Sequence, residues 1–220
     1  MNVTLIRFTP DAEALCGYAA AKCYNGSNPE RSLAHAVGGG HLSVTEHATF
    51  TFEVDGVSRV LLAQLTRHRL ASFSVASQRY ISLDNKFEYV VPKAIRDLGQ
   101  AQVKEFEREM AQMHKWYCQW QVKLGGKGEK ANEDARFVLP QATATGMIMT
   151  MNARELMHFF ELRCCNRAQW EIREMADAML REVKVVAPEL FKNAGPGCVR
   201  GYCPEGKRTC GQPRKIGEWD

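Results

Sequence analysis

Apolar and polar positions follow two periods along this chain, and the switches between them mark out its elements. "NVTLIRF", with Val3, Leu5 and Phe8, predicts a first strand, and Asp11 a cap for the helix "AEALCGYAAAKCY". A second helix is predicted from Pro29 to Val37, stopped by "GGG" at 38–40. "ATFTFEV" predicts a strand ended by "DG". Val60, Leu61 and Leu65 in "VSRVLLAQLTRHR" predict a helix whose last turn carries Gln64, Arg67 and His68 on a shared face. "FEYVVP" predicts a short strand. Over 101–124, Val103, Phe106, Met110, Met113, Tyr117, Trp120 and Leu124 recur at alternating gaps of three and four. That predicts the longest helix, with an apolar seam that needs a partner. "NEDARFVLP" predicts a short helix ended by Pro140, "GMIMTMNA" a strand, and "ARELMHFFELRCC" a helix. A last helix, "QWEIREMADAMLREVKVV", places Ile172, Met175, Met179 and Val183 on one side. Helices and strands mix without regular alternation and without an internal repeat, so the fold class is α+β rather than a doubly wound sheet. The expected layout is one domain over 1–195 and an irregular Cys/Gly/Pro-rich tail over 196–220.

Composition narrows the function classes. A net charge of +4 over 220 residues is too mild for a general nucleic-acid coat, and favours an anionic small molecule held by local arginine clusters. No apolar run approaches the ~20 residues of a membrane span. The start, "MNVTLIRFTPDAE", lacks the plan of a signal peptide, so a cytoplasmic protein with free thiols is expected, neither binding nucleic acid nor entering a membrane.

Candidate chemistry concentrates in a few stretches. "RHRLASFSVASQRY" holds Arg67, His68, Arg69 and Arg79 with Ser72, Ser74 and Ser77, and no acid. Arginine forks and serine hydroxyls make a phosphate cradle, and cations this dense repel unless an anion is supplied; a solvated basic turn is the bland alternative. In "MNARELMHFFELRCCNRAQWEI", Asn152 occupies an N-cap position, with Glu155 at the capping-box position. Arg154 with His158, and Arg163 with Arg167, are pairs four residues apart. A cap and a charged face explain Asn152 and Glu155. They leave Arg163, behind "HFFEL", in need of a specific anionic or polar partner. His41, Ser43, Glu46 and His47 in "HLSVTEHATFTF" match no common zinc spacing and read as ordinary residues approaching a strand. Cys198, Cys203 and Cys210 lack both close paired spacing and a fourth ligand, so no metal is assigned to them.

The pattern Arg-His-Arg, seven residues, Ser in "RHRLASFSVAS" resembles the signature of the flavin-dependent thymidylate synthases. "HLSVTEHATFTF", "ARFVLP", "NARELMHFFELR" and "AQWEIR" resemble further blocks of that family, in its order, over residues 41–175. The resemblance implies mixed helices with an antiparallel-type sheet, and a homotetramer with sites built between subunits. It also implies FAD, the nucleotide dUMP and a folate, with NADPH reducing the flavin and methylenetetrahydrofolate giving the carbon that converts dUMP to dTMP. Two rivals remain: a relative methylating another uridine nucleotide, and a non-catalytic nucleotide- or nucleic-acid-binding module.

By the same resemblance, Ser43, Arg67, His68, Arg69, Val75, Asn152, Ala153, Arg154 and His158 are expected to contact flavin. Gln64, Leu65, Thr66 and Arg67, then Val75, Ala76, Ser77, Gln78 and Arg79, are expected to bind dUMP, with Arg136 reaching its phosphate from a neighbouring subunit. Arg163 is the expected catalytic residue, favouring the ionised uracil. Ser77 has no base in its own segment and is assigned to nucleotide binding. The chain departs from the family pattern at Val75, where Glu or Gln is frequent, at Gln78, where some members have Gly, and at Arg167, where some have His.

Overall fold

The structure is a computed structural model that describes residues 1–85 and 87–219. Four strands form one sheet in the order β1-β2-β4-β3: β1 Asn2–Phe8, β2 Thr49–Ser58, β3 Ala71–Val75 and β4 Ala144–Asn152. Thr51 and Thr150 face each other with hydroxyls 2.9 Å apart. Four residues on along β2, Asp55 faces Gly146, four residues back along β4; a Cβ on Gly146 would lie 2.1 Å from the Asp55 carboxylate. One antiparallel register serves both pairs, and glycine is what lets the strands close at the second. The mixed helical and antiparallel architecture matches the α+β expectation.

Contacts divide the chain into two units. The first comprises Met1, 54–65 and 74–147. It holds α3 Arg59–Leu65, α4 Lys93–Leu98, the long α5 Gln100–Lys123 and α6 Glu129–Ala135. The seam on α5 is buried at Met110 and Tyr117, while Trp120 and Leu124 stay exposed. The second unit comprises 2–53, 66–73 and the chain from 148 on. It holds α1 Ala12–Tyr24, α2 Pro29–Gly38, α7 Ala153–Arg163 and α8 Trp170–Val186. Alternation buries Met147, Met149 and Met151 of β4, and helical spacing buries Ile172, Met175, Met179 and Val183 of α8. Phe50, Phe159, Phe160 and Phe191 form a chain of ring contacts 5.3–6.0 Å apart at its centre. Burying each ring stabilises by about 1.5–3 kcal/mol. No helix among the described residues is long and apolar enough to cross a membrane.

Several expectations need correction. Asp11 does not cap α1: it is left-handed at φ 48° and makes no side-chain cap bond. The helix expected to run through Arg69 ends at Leu65, so Gln64, Arg67 and His68 do not share a helical face. Its last turn is overridden by a buried contact that draws in His68. "FEYVVP" forms an isolated antiparallel bridge, Tyr89 with Thr143, not a strand. Pro92, lacking an N–H, follows three residues on. Arg167 lies beyond the end of α7 and is not on one helix with Arg163. β3 and α4 were not foreseen. The tail, described to Trp219, contains only two 3-10 turns, Gly197–Arg200 and Gly206–Arg208. Its Trp219 is nonetheless buried, with Nε1 donating to Asp177 at 2.8 Å.

Candidate functional site

The centre of the second unit is a relay of three polar side chains. Asn152 caps α7 by accepting the Glu155 N–H at 2.9 Å, as its position predicts. The Glu155 carboxylate turns away from the cap, lies buried, and meets His68 Nδ1 at 3.1 Å. Arg163, two turns further along α7, donates Nε–H to His68 Nε2, also at 3.1 Å. Guanidinium only donates, so Nε2 accepts and the single ring proton resides on Nδ1, pointing at Glu155. His68 is held below its ordinary pKa, first because burial opposes its charge; the Glu155 hydrogen bond raises it and Arg163 lowers it further. His158 and Phe159 pack edge-on against the ring, at 6.1 and 5.0 Å. A neutral imidazole, clamped on both nitrogens, therefore fixes the direction of the Arg163 guanidinium. The polar partner that Arg163 requires is His68.

Beside the relay lies a cavity of about 870 Å³, lined by Glu46, Leu70, Asn152, Arg154, Glu155 and His158 among others. Arg154 is ion-paired with Glu46 across it. Arg163 lines a second cavity, of about 430 Å³, with Arg167 and the tail. Ala153 is wholly buried; its N–H donates to the Ala48 carbonyl at 2.8 Å, which anchors the start of α7. Ser43, Thr66, Arg67 and Arg69 are exposed and line neither cavity. Arg67 and Arg69 have no ion-pair partner among the described residues, which leaves both available to an anion.

In the first unit, residues 75–79 run on from the last residue of β3 as a half-buried strip. The Ala76 N–H donates to the Gly146 carbonyl at 2.9 Å, and the Ala76 carbonyl accepts from Arg59 Nη2 at 2.9 Å. Ser77 Oγ accepts the Arg79 N–H at 3.2 Å, closing a small turn. The Arg79 guanidinium is paired with Glu129 at 2.5 Å and Glu133 at 3.2 Å. Its carbonyl is held by Asn132 Nδ2 at 3.1 Å. Asn132 Oδ1 in turn accepts from Gln121 Nε2 at 2.6 Å, and Gln121 also donates to Ser82 Oγ at 3.0 Å. Val75 and Gln78 are half-buried. Gln64 folds back, donating to the Val60 carbonyl at 3.4 Å, and Leu65 is a core side chain. Arg136 donates Nε–H to the Glu133 carbonyl at 3.0 Å.

Two residues of this geometry escaped the sequence reading. Glu155 was hidden by fitting the capping-box pattern. Arg59 gave no signal, standing alone at the start of an apolar helix. Its Nε is buried without a hydrogen-bond partner, and its pKa is depressed, first by burial and then by the nearby Arg136 charge. The two guanidiniums repel each other beside the strip, a repulsion that an anion between them would relieve.

The model of the family described as "Thymidylate synthase complementing protein" matches residues 4–189. A flavin-dependent thymidylate synthase of Geobacter sulfurreducens is 44% identical over 98% of this chain and 96% of its own length. One from Nitratidesulfovibrio vulgaris is 46% identical over 96% of this chain and 94% of its own length. An archaeal relative with the same name, from Pyrococcus furiosus, is 40% identical over 93% of this chain and 90% of its own.

Proposed function

The chain belongs to the flavin-dependent thymidylate synthase family, and from that premise we propose that it methylates dUMP to dTMP, with FAD as its cofactor and methylenetetrahydrofolate and NADPH as co-substrates. The single observation that carries the reading is the Glu155–His68–Arg163 relay. It presents a fixed guanidinium from a half-buried position, as stabilising negative charge on a uracil ring demands.

The residues fit a flavin. Asn152, Arg154 and His158, all expected at the flavin, line one cavity whose volume of about 870 Å³ lies in the range of cofactor pockets. Arg154 would leave Glu46 to meet the flavin's phosphates, and Arg67 and Arg69 add uncompensated cations. The bound flavin supplies the reducing equivalents, delivered to it by NADPH. This chain's residues do the rest. His68 stays neutral and holds Arg163 in place. Arg163 favours the anionic uracil and so raises electron density at C5. The strip from Val75 to Arg79 offers main-chain groups and the Ser77 hydroxyl to the nucleotide, Arg59 offers charge beside it, and Arg136 serves the phosphate of a nucleotide shared with a neighbouring subunit.

The proposed assembly is a homotetramer with shared sites. Trp116, Trp120, Val122 and Phe137 of the first unit are exposed apolar side chains of the kind an interface covers, which supports it. One experiment tests both halves. Light scattering in line with size exclusion and visible absorbance should find the flavin band at four times 24.8 kDa, sharpened or shifted by dUMP. A colourless protein that takes up no FAD sinks the activity; a flavin-bearing monomer sinks the shared site alone.

A further inference from the structure

Cys165, Cys198, Cys203 and Cys210 line one cavity of about 430 Å³, and from it we infer a soft metal centre held by four thiolates, either a zinc ion or an iron–sulfur cluster. The spacing of the last three left them without a fourth ligand. The fold supplies one: Cys165 sits just past the end of α7 and faces the same cavity as the tail.

Two further observations point the same way. Main-chain N–H groups already aim at two of the sulfurs: Arg214 donates to Cys198 Sγ at 3.3 Å, and Gln212 to Cys210 Sγ at 3.4 Å. The second bond closes over Gly211, whose φ of 70° only glycine adopts easily. Such donors favour a sulfur carrying negative charge. Finally, residues 201–213 are all exposed and hold one short 3-10 turn, so no buried core fixes them. Ordering a backbone costs about 1–2 kcal/mol per residue. A metal cross-link is how irregular segments of this kind are held.

As the chain stands, no three His, Cys, Asp or Glu side chains among the described residues are grouped to hold an ion. Cys203 Sγ lies 3.5 Å from Thr209 Oγ1, and Cys210 Sγ 3.4 Å from the Gln212 carbonyl. Cys203 and Cys210 are exposed, so closing the centre swings them inward without repacking around those two side chains. Each thiol gives up its proton on binding, so the metal is held more weakly in acid.

The test is metal analysis of the full chain purified without chelator, for zinc, iron and acid-labile sulfide. The expected result is about one zinc per chain, or iron with matching sulfide. Zinc without sulfide assigns a single ion, and iron with sulfide assigns a cluster; either supports the centre. The metal should vanish in Cys203→Ser/Cys210→Ser and persist in Cys23→Ser. If the double variant does not fold, mercurial titration of the parent protein replaces it, with metal release expected to track the modification of four thiols. A parent protein with far less than one metal centre per chain overturns the inference. So does a double variant that keeps its metal, metal release that is independent of thiol modification, or recovery of these thiols as disulfides.

Discussion

Replacing Arg163 by Ala separates a structural arginine from a catalytic one. On the structural side the variant loses its hydrogen bond to His68 Nε2, at 3.1 Å, and a cation in the last turn of α7. The first is worth about 0.5–1.5 kcal/mol net, the second about 0.3–1 kcal/mol. A loss of roughly 1–2.5 kcal/mol in a chain of this size lowers the melting temperature by about 2–10 °C. The protein should still fold and bind FAD, since the residues expected at the flavin are untouched. On the catalytic side, losing one preorganised charge-stabilising group costs about 10²–10³ in rate. The assay therefore needs two arms: anaerobic reduction of the flavin by NADPH, expected near the parent rate, and dTMP formation, expected to fall ~10²-fold or more. Arg163→Lys should recover only part, because an ammonium cannot donate to His68 and offer a planar fork to the ring together. Formation of dTMP by Arg163→Ala at close to the parent rate would refute the reasoning, however much stability was lost.

Glu155→Ala leaves the His68 Nδ1–H buried without its acceptor, and should cost about 1–3 kcal/mol of stability in urea unfolding, with Glu155→Gln recovering much of it; an unchanged midpoint would remove the relay. Because burial holds folded His68 below its ordinary pKa, the unfolded chain takes up that proton first. The contribution is thus complete above a pH of about 6.5, and stability falls as pH drops below it, until the folded pKa is passed; a urea midpoint that rises between pH 7 and 5.5 would contradict this. Val75→Glu, which introduces the polar side chain frequent in the family, should change dUMP affinity several-fold to a hundred-fold, on the order of 1–3 kcal/mol, with flavin content little altered. Unchanged affinity would assign nucleotide binding to the main chain of residues 75–79.

Periodicity read the elements that bury one face. β4, α5 and α8 were legible because Met149, Tyr117 and Met175 recur at the spacing their element imposes. Elements too short to show a period were missed or misjudged. α4 buries no residue at all. β3 hid inside a stretch whose serines and arginines drew attention as chemistry, although Ala71, Phe73 and Val75 alternate in burial as a strand requires. The end of α3 was lost because a contact with Glu155, far along the chain, outweighs local propensity at His68. At the site, unpaired cations and an arginine behind two phenylalanines were visible from composition alone. That Arg163 would meet His68 rather than an acid was not, since only the fold brings "RHR" against the end of α7. Cys165 likewise stands far from the tail cysteines in the sequence, and only the fold places it on the cavity that they line.

The amide of Asn132 holds the Arg79 carbonyl while receiving Gln121, so the strip proposed to bind the nucleotide takes its posture from α5 and α6 as well as from its own residues. The strip is therefore not a portable cassette. Grafted into another scaffold without that amide, the same five residues would keep their chemistry and lose their stance. Conversely, substitutions on α5 or α6 would retune the strip without altering any of its own five residues.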